Sequence, residues 1–440
     1  MSKISKVLGR RIWDSRGMPT VEAEIWLENG IMGRAIAPSG ASRGTREALE
    51  LRDGGNKLGG KDVSLAIASI NGAIASALTG LDCHDQAAID TALLSLDPSP
   101  LKSTIGGNAM IASSLAAFQT AANDKNISLW RHVSQSYNRT ASIPLPEIQI
   151  FGGGAHAGRR VDIQDFMIMV PGANSFDEAM EITSEVYFAA GAIMKERGKL
   201  AGIADEGGWW PLFDSNEEAL ETLVMAIEKA GETPGDRVVI SLDIAASEFG
   251  KEGSYQLALE NRSLNREQML DMLGQWLQDY PIASIEDPLA EDDVIGMQAF
   301  TERFGDKVQI IGDDYLVTNK PLIEAAIENQ SANAVLVKVN QIGTLTQAIE
   351  AFDTAQKAGW QTIISARSGE TEDSMISHLS VGLGAGQLKV GSFQRSERMV
   401  KWNECLRIQD ELARDGLNAH DAFVGGAPLA NTWWGKSRLK

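Results

Sequence analysis

The chain predicts an α/β protein in which a (β/α)8-type barrel follows a smaller N-terminal α+β domain, and three observations carry that prediction. Beyond about residue 135, short apolar runs alternate with amphipathic stretches, as strands alternating with helices do. Several runs end at a charged residue: 238–242 before Asp243, 282–285 before Glu286, 308–312 before Asp313, 335–337 before Lys338 and 362–365 ahead of Arg367. The last four of these charges are 27, 25 and 29 residues apart, room each time for a strand and a returning helix. The alternation implies a parallel sheet. In such barrels the carboxyl ends of the strands form one mouth, so these charges are candidates for a single site.

Taken in chain order, residues 5–36 form short alternating runs broken by Asn29-Gly30, which reads as antiparallel strands with a turn. Residues 63–78 and 110–122 are alanine-rich with apolar residues at helical spacing. Together they give an α+β domain over 1–135, with the barrel over 136–425. Within the barrel, Asn216–Lys229 and Lys320–Asn329 are amphipathic helices. From Gly416 onward, through Gly425-Gly426-Ala427-Pro428 and Trp433-Trp434, the pattern fits neither strand nor helix, and 426–440 is set apart as a tail.

A formal net charge of -19 over 440 residues disfavours nucleic acid and anionic membrane as partners. An anionic small molecule is still allowed, because metal ions and a few cations reverse the potential inside a cleft. Cys83 and Cys405 are too few and too far apart for a disulfide framework and suit a reducing compartment. The first residues lack a long apolar core and no later stretch approaches a bilayer span. The expectation is a cytoplasmic protein.

Asp243, Glu286 and Asp313 are three carboxylates from three strand ends, and hard cations such as Mg2+ are held by such oxygens. Opposite them stand Lys338, Arg367 and Lys389. A lysine whose pKa is lowered by nearby metal cations is able to take a weakly acidic proton next to a carboxylate while Mg2+ stabilises the developing charge. Ala204-Asp205-Glu206-Gly207-Gly208 lets the backbone approach a ligand and leaves Glu206 available as an acid. Base and acid together imply an elimination.

Ordered blocks along nearly the whole chain resemble the enolase family. They are Asp14-Ser15-Arg16-Gly17, Pro38-Ser39-Gly40-Ala41-Ser42, Gly154-Ala155-His156-Ala157, Asp205-Glu206-Gly207-Gly208, Ser284-Ile285-Glu286-Asp287-Pro288-Leu289, Gly312-Asp313-Asp314, Lys338-Val339-Asn340-Gln341-Ile342-Gly343-Thr344-Leu345, Arg367-Ser368-Gly369-Glu370-Thr371-Glu372-Asp373 and Arg395-Ser396-Glu397-Arg398. The resemblance implies that Lys338 takes the C2 proton of 2-phosphoglycerate and Glu206 helps the C3 hydroxyl leave as water. It implies that Asp243, Glu286 and Asp313 bind the first of two Mg2+ ions and that Ser39, in a mobile lid loop, binds the second. Lys389 would hold the substrate carboxylate, and Arg367 with Ser368 the phosphate. On a second loop of the site, Asp165 would be a further catalytic residue and His156 and Gln164 would bind substrate, as would Arg43 of the lid. A homodimer or larger homo-oligomer is implied as well.

The chain also departs from that pattern. Ala366 stands where the family has histidine, Arg43 replaces a threonine in the lid, and Gly152 replaces an asparagine. Asp165 stands in place of glutamate, Trp209-Trp210 in place of a smaller pair, and Arg159-Arg160 add charge. Losing a donor at the phosphate end while gaining Arg43 suits a substrate of different size or charge there. The alternatives to phosphopyruvate hydratase are therefore an enolase-like enzyme of phosphonate biosynthesis, similar to carboxyphosphonoenolpyruvate synthase, and a catalytically silent enolase-like binding protein.

Overall fold

The computed structural model describes residues 2–41 and 43–438; Met1, Ser42 of the lid block, and Leu439 and Lys440 of the tail lie outside them. Three antiparallel strands open the chain in the order β1 (Ile4–Trp13), β2 (Pro19–Leu27) and β3 (Met32–Ile36). The first turn is closed by Asp14, whose Oδ1 accepts from the amides of Arg16 and Met18, both at 2.8 Å. The helix Gly107–Asp124 lies against this sheet. It is apolar nearly all round, as a helix covered on every side must be. It approaches the sheet so closely that a Cβ at Gly33 would stand 2.4 Å from the Thr120 nitrogen.

The barrel begins with β4 (Leu145–Gly152) and β5 (Asp165–Met169). A hairpin of β6 (Leu200–Ile203) and β7 (Trp209–Pro211) hangs on β4 through the pairing of Phe151 with Trp209. The ring continues with β8 (Val239–Asp243), after which β9 (Gly250–Lys251), β10 (Ser254–Leu257) and β11 (Arg262–Asn265) form a small separate sheet. It is completed by β12 (Ile282–Glu286), β13 (Gln309–Gly312), β14 (Ala334–Val337), β15 (Gln361–Ser365) and β16 (Gly386–Ser392). Pairing of β16 with β4 closes eight strands into a ring whose interior is buried.

The ring is not wholly parallel, which corrects the expectation from the alternating pattern. Strand β5 runs antiparallel to both β4 and β8. The cause is the connection 153–164, which carries one short 3-10 turn and no α-helix, so β4 is followed by a return strand instead of a crossover. The start of β5 therefore lies at the mouth, and Asp165 pairs in register with Asp243.

The tail also differs from its sequence reading: Trp433–Arg438 is a helix under the other end of the barrel. The Trp433 indole donates to the Ile282 carbonyl and the Trp434 indole to the Asp236 carbonyl, each at 2.7 Å. Both cysteines are free and buried. Among the described residues no helix is long and apolar enough to cross a membrane.

Candidate active site

The acidic side of the mouth comes from three neighbouring strands. Asp243 ends β8, Glu286 ends β12 and Asp313 follows β13. Each is held by short-range chemistry: Asp243 Oδ2 accepts from Gln164 at 3.1 Å, and Asp313 Oδ1 accepts from Gln341 at 2.9 Å. Glu286 is fully buried, and its Oε1 has no hydrogen-bond partner among the described residues. Burial and then the Asp243 charge push the Glu286 carboxyl well above its ordinary range. Just behind them Asp287 accepts from the amides of Asp313 and Asp314 at 3.0 and 2.7 Å. Asp287 and Asp314 are pushed up in the same way, by burial and by their neighbours' charges.

The next three strands carry the cations. Lys338 follows β14 and ion-pairs with Asp313; Lys389 in β16 reaches Glu286 at 2.7 Å and Asp243 at 2.9 Å. Burial alone would depress both ammonium groups. The surrounding carboxylates together outweigh it, Asp313 foremost at Lys338 and Asp243 with Glu286 at Lys389, so both lie above the ordinary lysine value. Arg367, just past β15, donates to both carboxylate oxygens of Glu47, at 2.9 and 3.2 Å, and to Asn340 at 3.1 Å. Arg398, itself buried, fixes the backbone here by donating to the carbonyls of Arg367 and Ser368.

A third wall joins β4, β5 and the β6–β7 hairpin. His156 stands between Asp165, 3.1 Å from Nδ1, and Glu206, 3.7 Å from Nε2. Burial would lower the imidazole, but Glu206 and Asp165 raise it to about 9, so it is a cation at neutral pH. Burial would raise Asp165, but His156 outweighs it and brings the carboxyl down to about 2. Gln149 links the parts: its amide donates to Asp165 and its carbonyl accepts from the Gly208 amide. The tryptophan pair braces the acid loop. Trp209 stacks on Tyr187 at 4.7 Å, and a Cβ at Gly158 would meet the Trp210 ring at 3.0 Å.

His156, Gln164, Asp165, Glu206, Asp243, Lys338, Arg367, Ser368 and Lys389 all border one cavity of about 20 Å³, enough for a water or two. Direct ion pairs across the mouth keep it that small. Glu286 adjoins the cavity through Lys389. Ser39 and Arg43 border a neighbouring, larger cavity instead. The Ser39 hydroxyl donates to Glu50 and accepts from Arg52, both at 3.0 Å, while its backbone pairs with Gly369.

Residues 140–424 match the family model described as "Enolase, C-terminal TIM barrel domain", and residues 4–133 match "Enolase, N-terminal domain". The chain belongs to the enolase family.

Enolase-family proteins are Mg2+ users, and the donor set here fits a hard divalent cation: carboxylates on adjacent strands, an unpartnered buried Glu286 Oε1, and an unpartnered buried Gln164 Oε1 beside Asp243. Around the mouth the carboxyl groups crowd one another: burial and then neighbouring carboxylates push Asp287 and Asp314 up as they do Glu286, a crowding that a bound cation would relieve. Among the described residues, the trios of carboxylate, imidazole or thiol groups whose ligand atoms lie within 4.8 Å of one another are His156, Asp165 and Glu206; Asp287, Asp313 and Asp314; and Asp82, Cys83 and His84. Asp243, Glu286 and Asp313 are not such a trio, because Lys389 and Lys338 sit among them.

Of the departures from the enolase pattern, Ala366 borders the cavity next to Arg367. Gly152 has no room for a side chain, since a Cβ would stand 2.6 Å from that of Ala204. Arg159 and Arg160 turn outward onto Glu248 and Asp214. Sequence reasoning missed Gln149, Gln341, Glu47 and Asp287. All four are buried polar residues; Gln341 and Asp287 lie within the quoted blocks, while Gln149 and Glu47 lie outside them.

Proposed function

We propose that this enolase-family chain eliminates water from 2-phosphoglycerate to give phosphoenolpyruvate. The observation that carries the reading is that Lys338 and Glu206 border one cavity with Arg367 and Lys389 between them, since β15 and β16 lie between β14 and the hairpin on β4. A bound acid phosphate lying over Arg367 and Lys389 then has a base at one end and an acid at the other. Lys338, neutral once its ion pair with Asp313 is broken and its proton released, removes the C2 proton, and Glu206 gives a proton to the departing C3 hydroxyl, which leaves as water. Asp165 and His156 orient Glu206 and keep positive charge beside it. Lys389 and Gln164 take the substrate carboxylate side, and Arg367 with Ser368 the phosphate. Asp243, Glu286 and Asp313 would hold one Mg2+, which when bound would supply positive charge against the carboxylate oxygens where charge develops. Ser39 would serve a second Mg2+ on closure of the lid loop, which would free its hydroxyl from Glu50 and Arg52 and carry Arg43 with it.

The test is turnover of 2-phosphoglycerate, followed by the ultraviolet absorbance of the enol product with and without Mg2+, beside Lys338→Ala. Activity that needs both Mg2+ and Lys338 supports the reading. A second reading, a phosphonate relative of the substrate, is favoured by Ala366, whose methyl offers no donor beside Arg367. Failure on 2-phosphoglycerate with Mg2+ binding retained would move the assignment there.

A further inference from the structure

Beside the small catalytic cavity lies a vestibule of about 530 Å³ between the two domains. Its lining is cationic, with Arg16, Arg43, Arg52, Lys61 and Arg395 against Glu50 and Asp205. Two of the five cations are matched: Arg52 with Glu50 at 2.7 Å and Arg16 with Asp14 at 3.4 Å. Arg395 donates only to the carbonyls of Ala204 and Ile203, at 3.1 and 3.5 Å. Arg43 and Lys61 are exposed, and neither has a carboxylate within 4.0 Å among the described residues. Like charges gathered in a concave pocket repel one another and focus an attractive field for anions. In a chain of net charge -19, such a concentration runs against the general field.

The vestibule shares a wall with the cavity. Ser368 borders the cavity, and its hydroxyl accepts from the Ala41 amide at 2.6 Å and from Arg16 at 3.3 Å. Asp205 borders the vestibule and Glu206 the cavity.

We propose that the vestibule is a second anion site, which binds a doubly charged tetrahedral oxyanion of the phosphate or phosphonate class through Arg43, Lys61 and Arg395, apart from the seat at Arg367. Arginine forks and a lysine point charge suit such an anion. The occupant is either a free anion or the far end of a substrate whose carboxylate lies in the barrel.

Inorganic phosphate, titrated calorimetrically into the full chain, reads binding without turnover, so failure here is distinguishable from failure of the dehydration reading. Lys61→Ala combined with Arg43→Ala removes exposed side chains only, and a melting temperature within a degree or two of wild type would confirm an intact fold. The double variant should weaken phosphate binding about tenfold. Lys61→Arg in an otherwise wild-type chain should retain it. Saturating 2-phosphoglycerate then separates the sources. Phosphate binding that persists identifies a free anion. Phosphate displaced by the substrate, with a raised KM and unchanged kcat in the double variant, identifies the substrate's own end. Phosphate affinity that is equal in wild type and double variant, or no binding to wild type at tens of millimolar, overturns the proposal.

Discussion

Two arcs of the barrel mouth are built from the same strand-end geometry and carry opposite charge. Strands β8, β12 and β13 present Asp243, Glu286 and Asp313, whereas β14, β15 and β16 present Lys338, Arg367 and Lys389. The arcs close on each other through Lys338 with Asp313 and Lys389 with Asp243 and Glu286, while Arg367 turns away to Glu47 of the small domain. The difference teaches that the two halves satisfy one another only partly: Glu286 keeps an oxygen without a partner among the described residues and a raised carboxyl pKa, and the cavity between the arcs holds about 20 Å³. On the proposed function, a cation for one arc and an anion for the other would replace these pairs together.

The largest break in that symmetry should come from Lys338→Ala. It removes the proposed base, which among the described residues also ion-pairs with Asp313, and kcat should fall by about 10³ to 10⁴ in the absorbance assay while the far-ultraviolet dichroism is retained. Next, Glu47→Gln leaves the buried Arg367 without its carboxylate, and denaturant unfolding should show a loss of about 3 kcal/mol or more. Mg2+ at a hundredfold excess over its dissociation constant should add about 2.7 kcal/mol of stability, read as a melting shift, and more in the presence of phosphate than alone. If Mg2+ produced no shift, the acidic arc would not be a metal cradle.

A smaller effect sharpens the third wall. His156, raised to about 9, should show an imidazole proton titrating near that value by NMR, well apart from His132, which burial and then Lys125 lower to about 4. The folded pKa of His156 exceeds its unfolded value, so the stabilisation is complete below the unfolded value and is lost as pH rises through about 9. Between neutral pH and pH 10 the wild type should lose about 2 kcal/mol relative to His156→Gln.

The strand-end charges were legible in the sequence because an apolar run stopped by one charge is what a barrel strand looks like when its tip is functional. Asn216–Lys229 and Lys320–Asn329 were legible for the same reason, since their apolar period survives burial of one face. Asp165 broke the rule: it begins β5, and only the missing crossover helix betrays that a strand's start faces the mouth. The tail helix was hidden because its two tryptophans act through indole bonds to carbonyls distant in sequence. The company kept by Ser39 was equally hidden, because Glu50 and Arg52 are near it in sequence but their pairing with it depends on the course of the loop between them.

The seam that closes the ring joins Glu147 to Lys389. Strand β4 therefore leaves the ribosome long before its partner exists, and the nascent barrel carries an open edge through most of its synthesis. The small domain suffers no such delay: its sheet is complete by Ile36 and its covering helix by Asp124. Assembly order is thus written into the connectivity, with an early-finished N-terminal unit and a barrel whose last seam, Arg367 clasp and tail floor can be made only when nearly every residue is available.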